Sequence, residues 1–313
     1  MSKICFKLII LTFIFLKLTT STFAQKDTSE YIPISAFIDL DSFVVTATRK
    51  GFDVDDFIEL VRKDDSFFRA FHNLRFVDAT FNNNIQLFDK KGRSKASYQS
   101  NSKQTSDGRC REMQSFEETI TGNYFKRKKK YRYYTAMLYD RVFFTDGRIC
   151  ADPDATEWEE GKSGIEKHIS ELKKLIFSPG EKADVPFIGN KTAIFEPKMR
   201  KYYNYSIASK PYLNGADCYV FTAKVKDGFQ DKKEDKTIIK YLETYFEKET
   251  FQVLARNYQL AASTTFYDFD VTMRVKLIKV GNQYFPEMVE YDGQWDIPFK
   301  KPEIATFKAK FEY

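Results

Sequence analysis

The fold of this chain is decided by the stretch Tyr267-Asp268-Phe269-Asp270-Val271-Thr272-Met273-Arg274-Val275-Lys276-Leu277. Apolar or aromatic side chains alternate with polar ones along its whole length. Side chains of a β-strand point to opposite faces in turn, so the pattern predicts one long strand with an apolar face and a polar face. Strands of this kind build antiparallel sheets that bury one face and leave the other in water.

Further strand candidates follow in both halves of the chain. Turns containing Gly, Asn or Lys-Glu pairs separate them, and their spacing is typical of a meander. In the first half they cover residues 42–48, 75–88, 93–103 and 110–120. In the second half they cover residues 201–207, 218–226, 238–246, 251–260, 266–280, 283–291 and 305–313.

Four segments are candidate helices. Asp53 can cap a helix that continues to Val61, and a second helix restarts at Asp65 or Ser66. Residues 131–144 have an unclear period, which we interpret as helix. The sequence Ser163-Gly164-Ile165-Glu166 is a capping box, and it predicts a helix that ends before Pro179-Gly180. We expect these helices to pack in or over the open side of a large curved antiparallel sheet, which makes an α+β protein with an incomplete β-barrel.

The first 24 residues have the features of an export signal. Lys3 and Lys7 form a basic start, residues 8–16 are apolar, and Thr22-Phe23-Ala24 is a small-x-small cleavage site. The apolar run is shorter than the roughly 20 residues that a membrane-spanning helix needs. The protein is therefore expected to be exported, and to be periplasmic or associated with the outer membrane. The predicted divisions are a signal peptide (1–24), a flexible leader (25–40) and a single domain (41–313).

The overall charge balance argues against nucleic acid as a partner. Cleavage after residue 24 removes Lys3, Lys7 and Lys17, which leaves 47 of the 50 basic residues against 44 acidic ones. The net charge then falls from +6 to +3, too little for a field that attracts nucleic acid. Aromatic residues make up 17% of the chain, and they favour strands and bury large areas.

Three cysteines remain after cleavage, and an oxidising compartment allows one disulfide among them. Cys110 and Cys150 each come just after an Asp-Gly turn signal, which favours pairing between these two. Cys218 has the surroundings of a buried strand residue. The alternative is that all three are small buried hydrophobic residues.

One short segment concentrates positive charge. Lys126, Arg127, Lys128, Lys129 and Lys130 are consecutive and are followed by three tyrosines within four residues. In an exported protein such a cluster can contact an anionic surface of lipid headgroups. The alternative is a solvated loop or edge strand whose lysines discourage pairing with another chain.

The residue types that carry catalysis or bind metals do not form a recognisable site in the sequence. His72 and His168 lie on different predicted helices without a cysteine or histidine at ligand spacing, so we predict neither a metal nor a cofactor. His72 is expected at a helix end, where its positive form suits the helix dipole. No hydrolase, phosphate-loop or dinucleotide motif is present, and we expect the protein not to be an enzyme.

The segment from Tyr291 to Phe299 contains Asp292-Gly293, a turn signal, followed by Trp295. Its two interpretations are a corner that Trp295 closes, which we favour, and the mouth of a ligand site. Together with Glu247–Arg256 and Tyr267–Val271, this segment resembles an uncharacterised family of exported proteins from Gram-negative bacteria. The strand–charged turn–strand layout resembles the periplasmic lipoprotein carriers of the LolA/LolB type. That resemblance implies an incomplete antiparallel barrel with helices on its open side, but it transfers no functional residue.

A curved sheet around helices leaves an apolar concavity that can hold acyl chains, so a lipid or lipoprotein acyl chain is the expected partner. One alternative is a structural module of the cell envelope with a filled core, whose partner is another envelope protein. A less favoured alternative is an outer-membrane β-barrel, and the sequence does not define an oligomeric state. The candidate lining residues are Phe251, Val253, Phe269, Val271, Met273, Val275, Phe307 and Phe311.

Overall fold

Alternating apolar and polar side chains build an eleven-stranded antiparallel sheet in the computed structural model of this chain. The structure describes residues 54–153, 171, 180–184, 189–212, 215–234, 236–264, 268–296 and 301–313. All the described residues belong to one compact unit of the chain, residues 44–313. The sequence predictions that lie outside the described residues are the signal peptide, the leader, the strand at 42–48, Asp53, most of the helix after Ser163, and His168.

The strands follow one another in a meander, except that the chain brings its first and last described strands together at the middle of the sheet. The spatial order is β4-β3-β2-β1-β11-β10-β9-β8-β7-β6-β5. Because β4 and β5 lie at opposite edges, the sheet stays open, and the predicted α+β class with a curved sheet is confirmed. The strands are β1 Ala79–Phe88, β2 Ser94–Ser106, β3 Cys110–Gly122, β4 Ile149–Cys150, β5 Tyr203–Pro211, β6 Asp217–Val225, β7 Ile239–Glu247, β8 Val253–Ser263, β9 Asp268–Val280, β10 Gln283–Asp296 and β11 Glu303–Glu312.

Short helices pack against one face of this sheet, which we call the covered face. Phe57, Ile58 and Val61 are buried at the predicted helical spacing, and the helix after Ser66 contacts β10. The predicted helices in these two places and in residues 131–144 are confirmed. The α-helices are α1 Val54–Lys63, α2 Ser66–Asn73, α3 Tyr134–Phe143 and α4 Pro197–Arg200. Turns of 3-10 helix lie at Leu74–Phe76, Arg127–Lys129, Gly189–Lys191 and Lys232–Glu234.

The opposite face, which we call the polar face, carries a row of paired charged and polar residues across five strands. Glu243, Asn257, Arg274, Glu290 and Lys308 are successive partners in the registers of β7 to β11. Glu290 lies 3.2 Å from Arg274 and 2.6 Å from Lys308, and the Asn257 amide donates to Glu243 at 2.7 Å. Opposite charges at directly paired positions stabilise a sheet, so this row gives the polar side of β9 its partners.

His72 differs from its sequence-based expectation. It lies in the last turn of α2, as predicted, but it is buried, with its ring stacked on Phe68 and edge-on to Phe76. Burial lowers the pKa of this imidazole, because the charged form is poorly solvated there. The helix dipole therefore does not keep His72 protonated, and its Nε2 lies 2.9 Å from the Asp152 carbonyl oxygen.

Candidate functional site

The residues predicted to line a ligand cavity lie mainly within the apolar core of the sheet. On β9 they occupy every second position, from Phe269 to Val275, and on β11 they are Phe307 and Phe311. Phe307 is partly buried against the core. At most 6% of the surface is exposed in the following six: Val253, Phe269, Val271, Met273, Val275 and Phe311.

Phe251 lies outside the strand that the sequence predicted for it. β8 begins at Val253, and Phe251 occupies the preceding turn with a φ of 55°. Its ring stacks on Tyr219 at 5.9 Å between centroids. The prediction was wrong because the apolar run gives no sign of the turn, which is closed by the Thr250 hydroxyl donating to Glu247 at 2.6 Å.

Aromatic rings join α3 to the covered face. We call Tyr139, Phe143, Tyr291, Phe307 and Phe311 the aromatic cluster. The Phe307 ring lies 4.9 Å from Tyr139 and 6.0 Å from Phe143, and it stacks on Tyr291 at 4.7 Å, all between centroids. Phe143 also lies 5.9 Å from Phe311. These separations fall in the range of favourable aromatic pairs, so the cluster holds the helix by apolar contact.

A buried hydrogen bond adds a polar link beneath α3. The Tyr139 hydroxyl donates to Asn83 Oδ1 at 2.5 Å, and Asn83 Nδ2 donates to the hydroxyls of Ser100 and Ser102 at 3.2 and 3.3 Å. Burial raises the pKa of Tyr139, which keeps the phenol protonated as a donor. Sequence reasoning did not single out Asn83, although it interrupts the apolar alternation of Phe81 and Ile85 on β1.

Glu303 supplies the cap that α3 lacks in its own sequence. Its carboxylate accepts hydrogen bonds from the backbone amides of Tyr134 and Thr135 at 2.6 and 2.9 Å, and from the Thr135 hydroxyl at 3.1 Å. The residue before the helix, Tyr133, makes no side-chain cap. A carboxylate on β11 therefore satisfies the first amides of the helix and complements the positive end of its dipole.

The turn predicted at Asp292-Gly293 is wrong, because both residues lie inside β10. A Cβ on Gly293 would lie 2.1 Å from the Tyr291 hydroxyl oxygen, so this glycine makes room for the tyrosine ring on the same face. The Trp295 indole donates to the Tyr291 hydroxyl, and its ring lies 5.3 Å from Phe269. Trp295 thus packs on Phe269 near the end of β10.

A buried ion pair connects the turn between α1 and α2 with β8. Arg256 and Asp64 side chains are 1% and 6% exposed, and their closest atoms are 3.3 Å apart. Arg256 also donates to Thr244 Oγ1 at 3.1 Å and lies over the Phe67 ring at 4.3 Å. No local sequence pattern pairs these residues, because 192 positions separate Arg256 from Asp64. The signal that could have revealed this pair is a basic residue, Arg256, at a position that alternation assigns to the apolar face.

The predicted basic cluster forms a tight exposed loop, which we call the basic loop (residues 126–130). The Lys126 amide donates to the Lys130 carbonyl at 2.7 Å, and Phe125 and Tyr131 pair beneath it. Lys128 and Lys129 have φ values of 59° and 54°, which turn the chain sharply. All five basic side chains are exposed, and the flanking Phe125 and Tyr131 pack against the buried Tyr124. The fold therefore presents these charges together on an aromatic base.

Cys110 and Cys150 form a disulfide between paired positions of β3 and β4. Cys218 is a free thiol, fully buried in β6, as its sequence surroundings predicted. Burial raises the pKa of this thiol to about 11, so it stays protonated and unreactive near neutral pH.

The geometry of the covered face suits apolar contact rather than acid–base chemistry. Most of its cavity-lining candidates are buried in the apolar core, Phe307 and Phe311 contact α3, and the polar groups Asn83, Tyr139 and Arg256 are held by hydrogen bonds. Within the described part of the chain, every helix is too short or too polar to span a bilayer.

No protein-family model and no curated protein sequence matches this chain. Solved structures do match it over most of its length. A DUF1329 family protein from Desulfovibrio piger is 11% identical, with 79% of this chain and 89% of that one covered and a TM-score of 0.22.

Two further solved structures are similar in the same way. A putative outer membrane lipoprotein-sorting protein domain from Vibrio parahaemolyticus is 8% identical, covering 80% of this chain and 92% of its own, with a TM-score of 0.27. A LolA superfamily protein from Nitrosomonas europaea is 9% identical, covering 79% and 90%, with a TM-score of 0.23. The likeness is one of layout, and we base the proposals below on the residues of this chain.

Proposed function

We propose that this protein is an exported, non-enzymatic binding protein that holds an acyl chain or another apolar ligand against the covered face. The observation that carries the proposal is the aromatic cluster, where α3 is joined to β10 and β11 largely by ring contacts. Apolar attraction is non-directional, so an acyl chain can take the place of the ring contacts that hold a helix. The export signal predicted from the sequence supports an activity outside the cytoplasm.

The energy of such an exchange is adequate. Each buried methylene contributes about 0.8 kcal/mol, so roughly ten buried methylenes supply several kcal/mol. The polar links that ligand entry has to break are the Tyr139–Asn83 hydrogen bond and the Glu303 cap of α3. Six of the eight predicted lining residues lie on the strands that flank β10: Phe269, Val271, Met273 and Val275 on β9, and Phe307 and Phe311 on β11.

The proposal is tested by mass spectrometry of gently purified protein and by titration with a fluorescent fatty acid. We expect co-purified lipid and saturable binding, because the covered face is apolar across several strands. Phe307→Asn is expected to weaken fatty acid binding about tenfold, the effect of losing an apolar contact of about 1.4 kcal/mol. The matched control is Phe116→Asn, since Phe116 is 43% exposed on β3. Recovery of no lipid together with no fatty acid binding would count against the proposal.

The second candidate is an interaction module of the cell envelope with a filled core. The observation that favours it is the burial of six of the eight candidate lining residues, which is the usual fate of core side chains. Under this alternative the helices of the covered face never separate from the sheet. Saturable fatty acid binding that Phe307→Asn weakens and Phe116→Asn leaves unchanged would reject it.

A further inference from the structure

A second feature of the molecule, separate from the aromatic cluster, is a cavity of about 1230 Å³ next to the end of α1. Its walls come from α1, from residues 180–182 and 190–202, and from Lys236. We call it the basic groove. Val61, Met199 and Tyr202 contribute apolar surface, so the groove has an apolar floor between charged walls.

Basic side chains outnumber acidic ones along this groove. The acidic ones are Asp64, Glu181 and Glu196. Asp64 is already occupied by its buried pair with Arg256, and Glu196 lies 3.7 Å from Arg62. The groove therefore keeps an excess of positive charge, which comes from Lys182, Lys198, Lys201 and Lys236.

The backbone that carries the charges around Lys198 is packed against the sheet. Ile194, Phe195 and Met199 are buried, and the Tyr205 hydroxyl donates to the Ile194 carbonyl at 2.5 Å. Gly180 has a φ of 94°, and a Cβ there would lie 2.2 Å from the Phe195 ring. The segment that carries Lys198 is thus fixed to the sheet, and the groove is formed before any ligand arrives. A preformed site loses less conformational entropy on binding.

We propose that the basic groove binds a phosphate-bearing polar group. Lysine and arginine side chains make strong, charge-assisted hydrogen bonds to phosphate oxygens. The cavity volume of about 1230 Å³ exceeds the usual range for small-ligand sites, about 300–1,000 Å³, so it has room for more than a single phosphate. The apolar floor suits a sugar or glycerol unit attached to the phosphate. This site does not depend on acyl binding at the aromatic cluster.

The shared chemistry is a phosphate ester, which can belong to a lipid headgroup or to a free compound. Calorimetric titration with three probes separates these sources: glycerol 3-phosphate, dihexanoyl phosphatidylglycerol, and dihexanoyl phosphatidylcholine as the zwitterionic control. We expect both anionic probes to bind and phosphatidylcholine to bind more weakly. Equal affinity for the two anionic probes assigns the site to a free phosphate ester, and tighter phosphatidylglycerol binding assigns it to a headgroup.

The variant Lys198→Glu/Lys201→Glu tests the location. Both side chains are exposed, and so are those of Lys90 and Lys91 in the β1–β2 turn, which make Lys90→Glu/Lys91→Glu a control with the same change in net charge. We expect the groove variant to lose at least about tenfold in affinity for glycerol 3-phosphate, the effect of losing one charged hydrogen bond. The control should stay within about twofold, because distant exposed charges are screened by salt. The proposal is overturned by the absence of binding, or by equal losses in the two variants.

Discussion

At the scale of single residues, the pair of Arg256 and Asp64 is the clearest source of stability. We expect Asp64→Asn or Arg256→Met to lower the free energy of unfolding by about 3–5 kcal/mol, because each leaves a buried group without its charged partner. Urea denaturation measures the effect. Arg256 is the more sensitive position, since it also donates to Thr244 and covers the Phe67 ring.

The double variant Asp64→Asn/Arg256→Met provides the control for this pair. It removes both charges, so its loss of stability should be smaller than the sum of the two single losses. A buried ion pair that is replaced by neutral side chains often costs little. Single variants that lose less than about 1 kcal/mol would show that the pair is screened by solvent.

At the scale of elements, α3 depends on Glu303 for its beginning. We expect Glu303→Ala to lower stability by about 1–2 kcal/mol, the usual effect of removing a helix cap, and to speed hydrogen exchange at the amides of Tyr134 and Thr135. Glu312→Ala, at an exposed position of the same strand, is the matched control.

The same variant connects the element to the proposed function. If a ligand enters by displacing α3, a helix that is held less firmly should raise the apparent affinity for a fluorescent fatty acid. Unchanged exchange at Tyr134 and Thr135 in Glu303→Ala would show that the cap is not needed. Weaker fatty acid binding in that variant would place the ligand away from α3.

Whether an element could be predicted depends on how far apart in the sequence its stabilising residues lie. The period of two defines β9 within the sequence itself, because burial of one face selects alternate residues. The cap of α3 comes from Glu303, more than 160 positions away. The need for a glycine at position 293 of β10 depends on the position of the Tyr291 ring, which a local pattern does not show. Local patterns therefore predict strands well, but they miss polar links such as Arg256–Asp64 that form only when the sheet is complete.

The basic loop is the element with a testable surface role. We propose that it contacts anionic headgroups, and we expect Lys126→Gln/Lys128→Gln/Lys130→Gln to weaken binding to phosphatidylglycerol vesicles by roughly 100-fold, at about 1 kcal/mol for each lost charge. Vesicle sedimentation measures it, with phosphatidylcholine vesicles for comparison. The control Lys90→Gln/Lys91→Gln/Lys103→Gln removes the same charge elsewhere. Equal binding by both triple variants, or no binding by the wild type, would leave the loop as a solvated turn.

At the scale of the whole molecule, the two faces of the sheet are stabilised by different kinds of contacts. The polar face pairs its charges from strand to strand through Arg274, Glu290 and Lys308, so it needs no further partner to be stable. The covered face relies on short helices that are held by apolar contacts and by a few polar links, such as the Glu303 cap of α3. A ligand that replaces some of those contacts can bind without disturbing the polar face, which keeps the sheet intact while α3 moves.

The disulfide between Cys110 and Cys150 stabilises this arrangement by restricting the unfolded chain. The two residues are 40 positions apart, and the loop they close carries the basic loop and α3. Chain-entropy estimates give about 4 kcal/mol for a closed loop of this length, so Cys110→Ser/Cys150→Ser should lower the free energy of unfolding by up to about that amount. Urea denaturation with and without reductant measures it, and Cys218→Ala is the control, because that buried thiol forms no disulfide.

In protein from an oxidising compartment we expect only Cys218 to react with a thiol reagent after unfolding. Three reactive thiols would contradict export to such a compartment, and a reductant effect below about 1 kcal/mol would contradict the stabilising role.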